Sequence, residues 1–266
     1  MKKRTMSAFL ALCIFVPILY YGGIPYTVMM YILSLQGMRE IFDAIGKKKA
    51  VPQFVQCISY VLITYLVLTA GTISSITAIF DFRLLSSIVL LYLLPVIIYQ
   101  EDKTYGIIDA FVMIGIVSLL GLCFSLFVVI RNIEVSWLIY LLLITTFTDT
   151  YAYLVGVLIG KHKCIPKVSP NKTWEGYIGG TLMGVFIGTT YLTTVHEISF
   201  PLFGIVFMTL FLSIIGQFGD LVFSAIKRNF KIKDFSDFMP GHGGILDRFD
   251  SLFFVLMAFT FFIHIL

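Results

Sequence analysis

The chain has 266 residues, of which 59% are hydrophobic and only 13% are charged. This composition excludes an ordinary soluble globular domain and indicates an integral membrane protein. A formal net charge of +4 would suggest nucleic-acid binding in a soluble protein, but most basic residues here lie in short loops between apolar segments, so we expect no nucleic-acid partner. The cysteines show no CxxC or CxxH spacing, which predicts neither a disulfide nor a zinc site.

Hydropathy predicts an all-α, polytopic fold with about nine transmembrane helices, since each crossing needs about 20 mostly apolar residues. The basic start and the apolar run after it resemble a signal peptide, but no small-residue cleavage site follows, so we expect an uncleaved first helix. The predicted segments are 5–22, 25–45, 52–71, 84–99, 105–130, 135–160, 176–195, 200–230 and 245–266. Residues 72–83 are interpreted as a loop or a re-entrant piece.

The loop charges predict the orientation of these helices. All lysines and arginines except Arg83 and Arg131 fall on alternate loops, beginning with the N-terminus. Because cytoplasmic loops are enriched in basic residues, the pattern favours a cytoplasmic N-terminus, an odd number of spans and a C-terminus outside. The two loops richest in polar residues then face the cytoplasm.

The stretch from Asp220 to Asp250 concentrates acids, bases and glycines between two apolar segments. Steps of four, three and four residues place an acid, a hydroxyl and two amines on one helix face, namely Asp220, Ser224, Lys227 and Lys231. Asp220 needs a partner, which Lys227 or a divalent cation would supply. Asp247 and Asp250 of the next helix favour a cation, because hard oxygen ligands suit Mg²⁺.

A second group of polar residues lies at the end of segment six and in the loop after it. Asp149 stands among apolar residues, and such an acid is a functional candidate or a structural acid bonded to Thr145, Thr146 or a tyrosine. The loop contains the run SPNKTWEG, in which Lys172 supplies positive charge. Backbone N–H groups at the start of segment seven would point at an anion.

The run from Ser224 to Asp250 resembles the signature of the phosphatidate cytidylyltransferases, also called CDP-diacylglycerol synthases. The residues that match at the expected spacings are Ser224, Lys227, Arg228, Lys233, Asp234, Pro240, His242, Gly243, Gly244, Asp247, Arg248 and Asp250. The runs DTYAYLVGVLIGK and SPNKTWEG also resemble this family. Before about residue 140 only the pattern of spans agrees.

The resemblance implies transfer of cytidylyl from CTP to phosphatidate with Mg²⁺, giving CDP-diacylglycerol and pyrophosphate. It implies metal ligation by Asp220 and Asp247, with Asp250 a further ligand or an orienter of Arg248. Phosphate and pyrophosphate charge is assigned to Lys227, Arg228 and Arg248, and a phosphate-contacting turn to His242, Gly243 and Gly244. The nucleotide is assigned to Ser169, Asn171 and Lys172. Asp149 either binds the metal through water or orients Lys172.

The predicted spans and the resemblance together predict where the site lies in the chain. Residues 1–83 would carry helices one to three, 84–134 helices four and five, and 135–266 the catalytic helices six to nine with the CTP and phosphatidate site. The short N-terminus without a transit peptide predicts a bacterial inner membrane, and the loop charges predict a cytoplasmic active site. The resemblance implies a homodimer. The alternatives are an ion-coupled transporter, with Asp149 and Asp220 as ion sites, and cytidylyl transfer to another lipid phosphate. A CDP-alcohol phosphotransferase is disfavoured because its multi-aspartate motif is missing from the sequence.

Overall fold

The computed structural model describes residues 13–72, 82–99, 104–195, 201–238 and 243–263. Within these ranges the chain forms nine helical segments and one two-stranded hairpin. In chain order they are α1 (described over 13–21), α2 (Gly23–Gly46), α3 (Gln53–Ala70), α4 (Phe82–Tyr99), α5 (Ile107–Ile133), α6 (Val135–Ile159), β1 (Lys163–Ile165), β2 (Ser169–Thr173), α7 (Trp174–Val195), α8 (Leu202–Asn229) and α9 (Leu246–Phe259).

The predicted all-α fold is confirmed, and most helix ends lie within about three residues of the predicted segments. Six helices, α3 to α8, are long and apolar enough to cross a membrane. Helix α2 carries Arg39, Glu40 and Asp43 in its second half, and α9 is only 14 residues long. The fold is therefore that of a helical protein, with six candidate membrane spans among the described residues. The predicted loop or re-entrant piece at 72–83 falls largely outside them.

Two local features depart from the sequence-based interpretation. Part of the polar loop after α6 is an antiparallel hairpin, in which Lys163 pairs with Thr173 and Ile165 with Ser169. Helix α8 ends at Asn229, and Lys231 beyond it adopts a left-handed φ of 55°. Lys231 therefore does not share the helix face predicted for it.

The chain divides into two compact units. The first contains 1–135 and 232–247, and within it α3 packs against both α2 and α5, while α4 packs against α5. Phe124, Phe127 and Ile63 are fully buried in this unit. Asp109 begins α5, where its Oδ2 accepts from the N–H of Gly106 at 2.8 Å and pairs with Lys49 at 2.5 Å. Asp109 therefore marks a partly exposed helix end.

The second unit contains 136–231 and 248–266, and a stripe of glycines determines its packing. Helix α7 buries a glycine at every fourth position, namely Gly176, Gly180, Gly184 and Gly188. A Cβ on Gly180 would lie 2.5 Å from the Thr148 carbonyl oxygen of α6. Small residues at this spacing let helix backbones approach closely in a membrane. The stripe thus holds α7 against α6, which carries Asp149.

Replacing Gly180 by leucine should destabilise the protein by about 1–3 kcal/mol, because the side chain has no room against Thr148. Thermal unfolding of the purified protein in detergent measures this. Gly115→Leu is the matched control, since a Cβ there meets no atom within 4 Å. Equal unfolding temperatures for the two variants would contradict the close approach of α6 and α7.

Candidate functional site

The hairpin between α6 and α7 is fixed at its base by Glu175. This carboxylate accepts from the backbone N–H groups of Lys161 and His162 at 3.2–3.3 Å, and it lies 2.6 Å from His162 Nδ1. Thr173 Oγ1 accepts from the N–H of Gly176 at 3.2 Å, which caps the first turn of α7. These bonds set the direction in which β2 presents the predicted nucleotide-binding residues.

A cavity of about 450 Å³ lies within the second unit, lined by α6, the hairpin, α7 and α8. It unites residues from both predicted groups, since Asp149, Asn171, Lys172 and Asp220 all line it. Its other lining residues are Ala152, Tyr153, Gly156, Val157, Lys163, Thr173, Gly176, Tyr177 and Gln217. Ser169 begins β2 and is half-buried.

The partner of Asp220 in this cavity is Lys172. The Lys172 Nζ lies 2.5 Å from Asp220 Oδ2 and 5.6 Å from the centre of the Tyr177 ring. Ser224 Oγ donates to Asp220 Oδ1 at 3.3 Å, as their four-residue spacing allows. The structure thus joins two residues 48 positions apart and gives Asp220 a lysine from the hairpin as an ion-pair partner.

Asp149 and Asp250 meet around Ser251 of α9. The Ser251 hydroxyl donates to Asp149 Oδ2 at 3.2 Å, and the Ser251 N–H donates to Asp250 Oδ1 at 2.8 Å. Thr145, proposed above as a partner of Asp149, instead donates to carbonyls of its own helix. Both acids interact electrostatically with Asp220, so three carboxylates concentrate negative charge at one place.

The chemistry of this donor set decides what kind of cation it would accept. Within the described residues, no three His, Cys, Asp or Glu side chains lie close enough together to hold an ion among them. Mg²⁺ commonly takes one or two carboxylates and completes its shell with water and substrate phosphates. Asp149, Asp220 and Asp250 suit that mode by their chemistry, because carboxylates are hard oxygen ligands and these three interact electrostatically with one another.

Three basic residues of the signature lie at helix ends in the second unit. Lys227 and Arg228 occupy the last turn of α8, where Lys227 interacts electrostatically with Asp250. Arg228 Nε donates to the Val168 carbonyl oxygen in the hairpin turn at 3.4 Å. Arg248 is exposed on the first turn of α9. Burial raises the pKa of the Cys164 thiol on β1, against an opposing effect of Lys172, so this thiol is a poor nucleophile.

The glycine turn of the signature belongs to the first unit, where it contacts two carboxylates. Asp247 Oδ2 accepts from the N–H groups of Gly244 at 3.0 Å and Phe235 at 2.9 Å. Gly243 adopts a φ of 81°, which favours glycine. His242 lies outside the described residues. Joint metal ligation by Asp220 and Asp247 stays a prediction.

Glu40 of α2 also contacts this turn, and the sequence analysis did not identify it as a functional residue. It is fully buried, and its carboxylate accepts from the N–H groups of Ile245 at 2.8 Å and Leu246 at 3.0 Å. The Ser236 hydroxyl also donates to it, at 2.7 Å. Glu40 therefore caps α9 from another helix. Its signal in the sequence was an acid inside an apolar segment, which is expensive in a membrane protein unless it is paired.

The fold and the cavity together define a polytopic helical membrane protein with an acidic, lysine-bearing polar site. Residues 2–266 match the model of the cytidylyltransferase family. The chain is 36% identical to the phosphatidate cytidylyltransferase of Staphylococcus haemolyticus (strain JCSC1435) and 37% identical to that of Staphylococcus aureus (strain COL), covering 96% of each chain. It is 33% identical to the Bacillus subtilis (strain 168) enzyme, over 99% of this chain and 97% of that one.

These matches extend over nearly the whole chain, including the first half, which contains none of the signature residues. The chain belongs to the cytidylyltransferase family and is a nucleotidyltransferase.

Proposed function

We propose that this protein is a phosphatidate cytidylyltransferase, which transfers cytidylyl from CTP to phosphatidate and releases pyrophosphate. The relatives that match 96% or more of the chain carry that name. The observation that carries the assignment is the Lys172–Asp220 pair, 2.5 Å apart in a cavity shared by the predicted nucleotide loop and the predicted metal helix.

The reaction joins two highly anionic groups, so their repulsion is the main obstacle. A phosphate oxygen of phosphatidate attacks the α-phosphorus of CTP, and the bond to the β-phosphate oxygen breaks as pyrophosphate leaves. A phosphate monoester is nucleophilic at neutral pH, so no strong general base is needed. Positive groups that neutralise the phosphate of the transferred cytidylyl group and the leaving pyrophosphate therefore account for most of the catalysis.

The basic side chains have separate roles in this proposal. Lys172, held over Tyr177 by Asp220, binds a CTP phosphate, with Ser169 and Asn171 beside it on β2. Lys227, Arg228 and Arg248 bind phosphate and pyrophosphate charge, and the turn of His242, Gly243 and Gly244 approaches a phosphate.

Mg²⁺ would be held by Asp220 with Asp247 or Asp250, and it would supply further positive charge at the reacting phosphates. Asp149 would bind it through water.

The finer arrangement in the membrane also belongs to this proposal. All nine helices cross or enter the bilayer, with the N-terminus and the hairpin at the cytoplasmic face of a bacterial inner membrane and the C-terminus outside. The asymmetry of loop lysines and arginines supports this orientation. Residues 135–266 form the catalytic segment, residues 1–83 and 84–134 support it, and the enzyme works as a homodimer.

Incubation of the purified protein with radiolabelled CTP, phosphatidate and Mg²⁺ tests the function. The expected result is a labelled lipid and an equal amount of pyrophosphate, both lost when the metal is chelated. A labelled product from an ether-linked lipid phosphate but not from phosphatidate would favour the second lipid substrate. No labelled lipid from any phospholipid acid would favour the transporter.

A further inference from the structure

An apolar groove of about 400 Å³ adjoins the polar cavity in the second unit. It lies between α7, α8 and β1, and its apolar walls include Ile165, Ile178, Leu182, Ile214, Phe218 and Leu221. Tyr177 and Gln217 line both the groove and the cavity. The groove and the candidate site therefore share a wall, and the volume of the groove falls in the usual range of ligand pockets, about 300–1,000 Å³.

The shared wall holds two buried polar atoms that lack a hydrogen-bond partner in the described part of the chain, the Tyr177 hydroxyl and Gln217 Oε1. Gln217 is fixed in place, because its Nε2 donates to Thr181 Oγ1 at 2.6 Å and to the Tyr177 carbonyl oxygen at 3.4 Å. A buried polar atom without a partner costs about 1–3 kcal/mol, and such atoms in native proteins call for an explanation. A ligand with polar atoms at this wall explains both.

We infer that the groove holds one acyl chain of the phosphatidate and that the Tyr177 hydroxyl donates a hydrogen bond to its ester carbonyl oxygen. The inference rests on the proposed function. Phosphatidate has a phosphate, then ester carbonyls, then hydrocarbon, and the molecule offers the same order: the lysine-bearing cavity, the Tyr177 hydroxyl and the apolar groove.

Gln217 completes the recognition of the ester group. An ester offers only acceptors, so a hydroxyl donor such as Tyr177 suits it directly, while Gln217 Oε1 accepts from a water that bridges to the second ester oxygen. The ring of Tyr177 lies against Lys172, so one side chain contacts both the phosphate-binding lysine and the lipid. Tyr177 therefore favours lipids in which the phosphate and the ester are separated by the distance between Lys172 and the Tyr177 hydroxyl.

The first test compares wild type with Tyr177→Phe, which keeps the ring and its contact with Lys172. We expect kcat/KM for dioleoyl phosphatidate to fall about fivefold, the effect of one hydrogen bond, with the KM for CTP unchanged. The same fall should be absent with an ether-linked phosphatidate, which has no ester carbonyl. An equal fall with both lipids, or no fall with either, would overturn the role of the hydroxyl.

The second test fills the groove. Ile178→Trp and Leu182→Trp place bulk on exposed groove positions, and Leu158→Trp on α6 is the control at an exposed apolar position that lines neither the groove nor the cavity. We expect the two groove variants to lose about tenfold in kcat/KM with dioleoyl phosphatidate and to keep wild-type values with dihexanoyl phosphatidate, since a lost apolar contact of about 1.4 kcal/mol is tenfold. Unchanged chain-length selectivity would overturn the proposal.

A binding measurement on the wild-type protein tests the proposal even if the variants are inactive with both lipids. Dioleoyl phosphatidate with a diazirine near the middle of one acyl chain is photolysed with the wild-type protein in nanodiscs, and labelled peptides are identified by mass spectrometry. Label on α7 and α8 within the groove supports the proposal. Label elsewhere, as expected if a second copy of the chain or bulk lipid covers the groove, overturns it. If the wild type makes no lipid product at all, it is the proposed function that fails.

Discussion

Asp220→Asn is expected to lower kcat/KM for CTP and phosphatidate at least about 100-fold while the protein remains folded in the membrane. The substitution removes the charge that holds Lys172 at 2.5 Å and one of the three carboxylates that interact in the second unit. The asparagine keeps the size of the side chain and can still accept from Ser224. The loss therefore reports charge rather than packing.

A matched control is available in the other unit. Asp109 pairs with Lys49 at the same distance of 2.5 Å, but this pair is more exposed, stands at the start of α5 and lies outside the candidate site. Asp109→Asn should leave turnover within about twofold of wild type, because an exposed ion pair contributes little. Comparable losses in the two variants would mean that Asp220 has only a structural role.

The pair with Lys172 can be tested by a double-mutant cycle. Lys172→Met should cost about as much as Asp220→Asn if the two residues act together, and the double variant should be little worse than either single one. Raising Mg²⁺ should partly restore Asp220→Asn but not Lys172→Met, because only the acid is assigned to the metal. Fully additive losses would contradict a shared role.

Glu40→Gln is expected to lower kcat about 100-fold, although Glu40 belongs to α2, far from the signature in sequence. The carboxylate accepts two backbone N–H groups at the start of α9, and an amide in its place must turn a donor toward one of them or leave it unpaired. Such a loss costs about 1–3 kcal/mol of stability. It also releases the turn that positions Asp247.

Two further variants separate this role from a general effect on α2. Gly244→Ala should reproduce Glu40→Gln, because a Cβ there would lie 2.5 Å from the Glu40 carboxylate. Asp43→Asn, at an exposed position of the same helix, should be neutral. Glu40→Asp keeps the charge. A partial recovery of kcat in this variant, with the KM for CTP unchanged, would show that Glu40 acts by positioning the turn that holds Asp247. Wild-type kcat in Glu40→Gln and Gly244→Ala would rule that role out.

The sequence predicted the helices well because their signal is local. A run of about 20 apolar residues defines a membrane helix by itself, and the breaks at Pro52 and Pro201 fall where two helices begin. The sequence did not predict the hairpin between α6 and α7, because the path of the chain there depends on hydrogen bonds between residues that are distant in sequence. The hairpin needs Glu175 to fix its base, and nothing in the run KHKCIPKVSPNKT specifies that pairing.

The candidate site shows the same division. The acids and bases were identified as residue types, and Asp149, Asn171, Lys172 and Asp220 do line one cavity. The ion pair of Lys172 with Asp220 was not predictable, since the two residues are 48 positions apart and Lys227 was the nearest cation to Asp220 in the sequence. Tyr177 and Gln217 gave no signal at all. A tyrosine and a glutamine in an apolar helix become notable only when their atoms are seen to lack partners.

The capping of α9 by Glu40 has a consequence for biosynthesis. The ribosome makes the carboxylate 205 residues before the first backbone N–H group that it accepts from, so α2 is complete long before that group exists. Until the last helix arrives, an acid sits in an apolar bundle without its final partners. The protein can therefore complete this bundle only when translation is nearly finished, and nascent chains cut short before Leu246 should be recognised by quality-control proteases as unassembled.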